Sequence, residues 1–115
     1  MACSLAGSGI VPVRTPAPPT HCDALQTPLV SPLTFGALSA AGARGLSVSD
    51  AEVEAAMRFA FDRLRLVVEP GGAAALAALL AGRIDGVEQG SVVVLSGGNV
   101  DPGFYARIIS GSRSA

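Results

Sequence analysis

Apolar residues follow three rhythms along this chain, and each predicts a different element. From Val53 the spacing is helical. Val53, Ala56, Met57, Ala60, Phe61 and Leu64 recur three and four apart, which places them on one face of a helix over 50–65. Its start is marked by Ser49-Asp50-Ala51-Glu52. That is the spacing of a capping box, with Ser49 at the N-cap and Glu52 reaching back from the third helical position. The Met and Phe stripe reads as core, not as a ligand box. On the polar side, Glu54, Arg58 and Asp62 stand four apart and offer pairs of ~0.3 kcal/mol each.

The second rhythm is no rhythm at all. Ala73 to Ala81 is apolar on every side, so the helix expected over 72–82 is buried on most faces. The short extended segment Leu66-Val67-Val68 and the turn Glu69-Pro70-Gly71-Gly72 lead into it. The third rhythm is an unbroken run, Val92-Val93-Val94-Leu95, between a polar turn over 82–90 and Ser96-Gly97-Gly98-Asn99. Such a run suits a strand over 91–95 covered on both faces, as in a parallel sheet. Asp101-Pro102 then opens a last helix over 102–109, with Asp at the N-cap and Pro at the first helical position. Phe104, Ile108 and either Ala106 or Ile109 are its inward residues. Helices with a buried parallel-type strand between them predict an α/β fold.

The first half is less regular. A short helix is expected over 33–42, with Thr34 near its start and Gly42 at its C-cap. Gly45 to Val48 is a candidate strand, and 21–32 reads as a loop. Residues 1–20 carry Pro12, Pro16, Pro18 and Pro19 and show no period, so they are expected to form a disordered leader. Residues 111–115 read as a frayed tail.

Composition narrows the function more than the fold. The chain has 115 residues, enough for one small domain with one core. Its net charge is −1, which argues for neither nucleic acid nor an anionic membrane. No apolar stretch reaches the ~18 residues that span a membrane. Cys3 and Cys22 are the two cysteines, too few for a disulfide framework or a metal site, and free thiols fit the cytoplasm. His21 stands without a base partner nearby in sequence and reads as a loop residue, and Asp23 as a local acceptor in the same loop. Eight arginines and no lysine exclude any Schiff-base chemistry through a lysine of this chain. No catalytic residue is therefore assigned.

The candidate chemistry lies in the Ser96-Gly97-Gly98-Asn99 turn. Its glycines permit close approach or positive φ, Ser96 and Asn99 supply polar groups, and ligands of α/β sheets bind beyond the carboxyl ends of strands. A plain strand-to-helix loop is the alternative. Glu69 is the only charge between Arg65 and Arg83. It can either serve the amino end of the adjoining Ala-rich helix or face a ligand.

These stretches resemble the carboxyl-terminal part of serine/threonine dehydratases. That family includes threonine ammonia-lyases and serine racemases and belongs to the fold-type II pyridoxal-phosphate enzymes. The resemblance rests on Glu69-Pro70-Gly71-Gly72-Ala73, the Ala-rich segment after it and Val93-Val94-Leu95-Ser96-Gly97-Gly98-Asn99-Val100-Asp101. It extends to Cys22-Asp23-Ala24-Leu25, Leu33-Thr34-Phe35 and Ser47-Val48-Ser49-Asp50, and covers about 21–110.

It implies the three-layer parallel-sheet fold and pyridoxal phosphate as the family cofactor. It also implies that Ser96 faces the cofactor's pyridine nitrogen, with Gly97 and Gly98 thin beside the ring. Asn99 would brace the loop and Glu69 would stand near the pocket. The implied parent reaction is α,β-elimination of water from a hydroxy amino acid, giving a keto acid and ammonia. The family's lysine and its glycine-rich phosphate loop are not matched, Gly71 stands where the family usually has Ser, and residues 1–20 do not resemble it. The expectation is a truncated piece, inactive alone, that does not by itself hold the cofactor and self-associates or needs an amino-terminal half. A non-catalytic module that binds a partner chain is the alternative.

Overall fold

A computed structural model of the chain describes residues 2–7, 9–12 and 17–111. Two compact units divide it, Met1–Ser47 and Val48–Ala115.

The first unit holds helix α1 (Ala2–Ala6), a single 3-10 turn at Asp23–Leu25 and helix α2 (Pro32–Ala40). Helix α1 lies inside the stretch expected to be disordered. It ends before the first proline. The buried Ser4 then anchors the chain beyond the helix, its hydroxyl accepting the Val11 N–H at 3.0 Å. Residues 13–16 of that leader, and 112–115 of the tail, lie outside the described residues. Pro32 is the first residue of α2, where its missing N–H is no loss. Cys22 is buried and Cys3 exposed, and neither forms a disulfide among the described residues.

The second unit carries the core and the candidate site. Helix α3 (Asp50–Phe59) begins with the expected capping box. The Ser49 hydroxyl accepts the Glu52 N–H at 3.3 Å, and Glu52 Oε2 accepts the Ser49 N–H at 2.7 Å. Arg83 adds a second anchor, donating from Nη2 to Glu52 Oε1 at 2.7 Å and from Nε at 2.9 Å. Past Phe59 the helix does not continue as expected. Ala60–Leu64 is a π turn, closed by Arg65 in the left-handed region at φ 60°. A π turn bonds i to i+5 and so takes more residues per turn. This rolls the apolar stripe off its axis. Val53, Ala56, Met57 and Ala60 stay buried, whereas Phe61 and Leu64, read as core from their spacing, are 36% and 44% exposed.

Helix α4 (Pro70–Leu80) starts two residues ahead of the expected 72, with Pro70 at its first position. Ala73, Leu76, Ala77 and Ala78 are buried in it. It ends in Gly82 at φ 65°, where the Arg83 N–H returns to Ala78 O at 3.0 Å, a Schellman closure that favours glycine. Helix α3 packs chiefly on α4 and more lightly on helix α5 (Pro102–Ser110). The small side chains of α4 suit such close packing. Asp101 caps α5 as expected, accepting the Phe104 N–H at 2.7 Å. The inward residues of α5 are Tyr105 and Ile108, with Phe104 and Ile109 half-buried and Ala106 exposed.

The expected strand over 91–95 is not formed as a strand. No β-ladder occurs among the described residues, and none of Val92 to Leu95 has a backbone hydrogen-bond partner there. A strand exists only by pairing. The run nevertheless keeps the alternation of extended backbone. Val93 and Leu95 are half-buried, while Val92 and Val94 are 85% and 66% exposed. The candidate strand over Gly45 to Val48 is irregular for the same want of a partner.

Candidate functional site

The Ser-Gly-Gly-Asn turn lies against the amino end of α4, and the backbone brings them together. The Glu69 N–H donates to Gly97 O at 3.1 Å. This one bond ties the segment entering α4 to the turn leaving the apolar run. Around it three glycines remove the side chains that would hold the two stretches apart. A Cβ on Gly72 would run into Ser96 O and would lie 2.9 Å from Ser96 C and 3.0 Å from Gly97 O. A Cβ on Gly98 would lie 2.8 Å from Val67 O. Gly97 is at φ 97°, and a Cβ there would run into Glu69 Oε1. The left-handed φ calls for glycine, whereas the carboxylate is the end of a flexible side chain that can move aside.

Glu69 occupies the N-cap position of α4, but its side chain makes no cap hydrogen bond. The carboxylate turns to Gly97 instead. Of the two roles read from the sequence, a direct cap bond is therefore absent. The negative charge still stands beside the exposed N–H groups of a helix start, where it is favoured. Ser96 is exposed, and no hydrogen bond engages its hydroxyl among the described residues. Asn99 is exposed on the same turn. The five residues singled out from the sequence, Glu69, Ser96, Gly97, Gly98 and Asn99, thus share one small region. No cluster of His, Cys, Asp or Glu among the described residues could hold a metal ion. No helix there is long and apolar enough to cross a membrane.

Two contributors were not singled out. Gly72 could have been noticed, because glycine in the first turn of an otherwise Ala-rich helix costs about 1 kcal/mol relative to Ala and so suggests a close approach. Tyr105 carried no such signal. Its hydroxyl donates to Leu66 O across 3.5 Å, and its ring meets Phe61 edge-on at 6.0 Å and 80°. It thereby ties α5 to the segment that leads into Glu69. Burial, and secondarily the nearby Asp62 charge, push the Tyr105 phenol up from its ordinary range.

The geometry is a thin glycine turn with an unengaged hydroxyl, set on a helix amino end beside a carboxylate. The family model described as "Pyridoxal-phosphate dependent enzyme" matches residues 2–97, so the chain belongs to that family. The match takes in residues 2–20, which the sequence reading left outside the resemblance. The chain is 39% identical over 104 residues to the L-threo-3-hydroxyaspartate ammonia-lyase of Pseudomonas sp, covering 89% of this chain and 31% of that protein. Among solved structures it resembles the T.th. threonine deaminase, with TM-score 0.75 and 36% identity over 87% of this chain and 36% of that one. It also resembles the serine racemase of Dictyostelium discoideum, with TM-score 0.64 and 29% identity over 87% of this chain and 31% of that one. These neighbours carry the fold-type II architecture, and the chain spans about a third of their length.

Pyridoxal phosphate is the cofactor of this family. The donor set here fits one edge of its ring. It offers a neutral hydroxyl with no hydrogen-bond partner among the described residues, on a turn whose glycines present no side chain. It includes no lysine amine.

Proposed function

We propose that this chain is the carboxyl-terminal wall of a pyridoxal-phosphate site in a hydroxy-amino-acid ammonia-lyase. In this reading it is a truncated piece that is inactive alone. The observation that carries the proposal is the seating of the Ser96 turn against the amino end of α4, with the Ser96 hydroxyl exposed and unengaged. The likeness to hydroxyaspartate ammonia-lyase and threonine deaminase supports the reaction class.

Ser96 presents its hydroxyl to the pyridine nitrogen. A neutral hydroxyl donates a hydrogen bond there without holding that nitrogen protonated, as a carboxylate would. Gly97 and Gly98 leave room for the ring edge, Asn99 braces the turn, and Glu69 sets the negative charge of the rim. When bound, the cofactor supplies the electron sink for α,β-elimination of water from a hydroxy amino acid, and uptake of one water by the resulting imine then gives the keto acid and ammonia. The amine that fixes it and the cradle for its phosphate come from another polypeptide stretch. Cysteines outside any disulfide, as Cys3 and Cys22 are among the described residues, suit a cytoplasmic setting.

The test supplies that stretch. The chain is mixed, or co-expressed, with the amino-terminal two-thirds of a homologous ammonia-lyase, and keto acid formed from serine, threonine or 3-hydroxyaspartate is measured. The chain alone is expected to form none. The complemented assembly is expected to form keto acid, with at least a tenfold loss on Ser96→Ala, the scale of one well-placed hydrogen bond. Keto acid from the chain alone contradicts the inactive-piece reading, and an undiminished Ser96→Ala assembly contradicts the role of Ser96.

A further inference from the structure

We infer that Gly72 and Gly98 are the positioning residues of Ser96, two backbone seats that fix where its hydroxyl stands. The inference rests on the reading of Ser96 as the ring-facing residue. No side-chain hydrogen bond reaches Ser96, Gly97 or Gly98 among the described residues. The position of the turn comes from contact of backbone on backbone. On one side Gly72, buried in the first turn of α4, lies directly under the Ser96 carbonyl, 2.9 Å from its carbon if a Cβ is built. On the other, Gly98 lies against Val67 O, 2.8 Å from a built Cβ. The bond from Glu69 N–H to Gly97 O, 3.1 Å long, runs between the two seats.

Neither obstacle is the far end of a flexible side chain. Both are main-chain carbonyls, and a methyl group at either glycine must push the turn bodily away. Because Ser96 has a short side chain, a displacement of its backbone becomes the same displacement of its hydroxyl. Hydrogen-bond geometry tolerates only a few tenths of an ångström.

The test is made on the full chain, with Gly72→Ala and Gly98→Ala. Gly36→Ala in α2 is the control, because a Cβ there meets nothing within 4 Å. Amide hydrogen exchange and amide chemical shifts are read by nuclear magnetic resonance. In both test variants the Glu69 amide is expected to exchange about tenfold faster as its bond to Gly97 O opens. The Ser96 and Gly97 resonances move, while Ala77 and Leu79 inside α4 keep their protection. The control leaves all of these unchanged. Unaltered Glu69 exchange and Ser96 shifts in either test variant overturn the inference.

If a variant loses its helical circular dichroism, the unsubstituted chain decides. A cross-relaxation peak between Gly72 Hα and the Gly97 amide proton is expected, and its absence overturns the proposal. In the complemented assembly, Gly72→Ala and Ser96→Ala are expected to lose activity without adding to each other, as residues acting as one unit do. Additive losses overturn it. Failure of the assembly to form keto acid at all would count against the proposed function, and the amide readouts would still decide the seats.

Discussion

Ser49 and Glu52 show how a few atoms fix the start of an element. Two reciprocal bonds and the Arg83 fork converge on Glu52. The Ser49 backbone N–H first, and then Arg83, hold the Glu52 carboxyl below the usual carboxylate range. Ser49→Ala removes an N-cap and is expected to destabilise the second unit by about 1 kcal/mol in denaturant melts. A carboxyl whose folded value is depressed contributes stability that is present above its unfolded value and lost as pH falls through the folded one. Stability should therefore decline as the solution is acidified through and below the ordinary glutamate range. Glu52→Gln should flatten that decline, and added salt should weaken the Arg83 part of it.

Tyr105 gives the opposite sign. Its phenol is pushed up by burial, so its contribution is complete below the unfolded value and fades as pH rises toward the folded one. The chain has one tyrosine and no tryptophan. The near-ultraviolet phenolate signal should thus titrate above that of free tyrosine, and Asp62→Asn should bring it part of the way back. An unshifted titration would contradict the burial. The caps at Ser49 and Asp101 were legible in the sequence because they are local. The carboxylate of Glu69 turned to Gly97 was not, because its partner is 28 positions away along the chain.

At the scale of elements, helix periodicity served well wherever one register persists. It placed Val53, Ala56, Met57 and Ala60 in the core and failed at the π turn beyond them. Nothing in Ala60-Phe61-Asp62-Arg63-Leu64 announces the extra residue per turn. The break shows only in the packing. Met57 is fully buried, so Met57→Ala is expected to cost about 3 kcal/mol. Leu64→Ala, beyond the π turn and 44% exposed, should cost less than half of that. Equal losses would mean that Leu64 is core after all. The apolar run over 92–95 teaches a related lesson. Its extended character and the turn after it could be read from the residues, but pairing is a property of two segments, and the run alone does not disclose its partner.

For the chain as a whole, the exposed apolar residues matter most. Val92 and Val94 stand in solvent on a run whose N–H and C=O groups are unpaired among the described residues. Beside them a cavity of about 420 Å³ is lined by Leu79, Ile84, Val87 and Val93. Unpaired edges invite further strands, and exposed apolar area is removed from water at ~25 cal/mol per Å². The purified chain is expected to self-associate, seen as a scattering mass that grows with concentration and a melt that depends on it. Adding the complementing amino-terminal piece should reverse this. A monodisperse monomer with a concentration-independent melt would show that these surfaces need no cover.

The glycine seats have a consequence for how such a site changes over generations. Where a close approach is made by a missing side chain, every single replacement adds bulk, so there is no gradual path away from it. Ser96 is under no such restriction, because its hydroxyl points outward and a threonine or cysteine in its place leaves the main chain where it is. With Ser96 in its proposed role, the site can exchange its chemistry by one substitution while its location stays locked. Divergence among descendants of this scaffold should therefore alter what stands at the turn long before it alters where the turn stands.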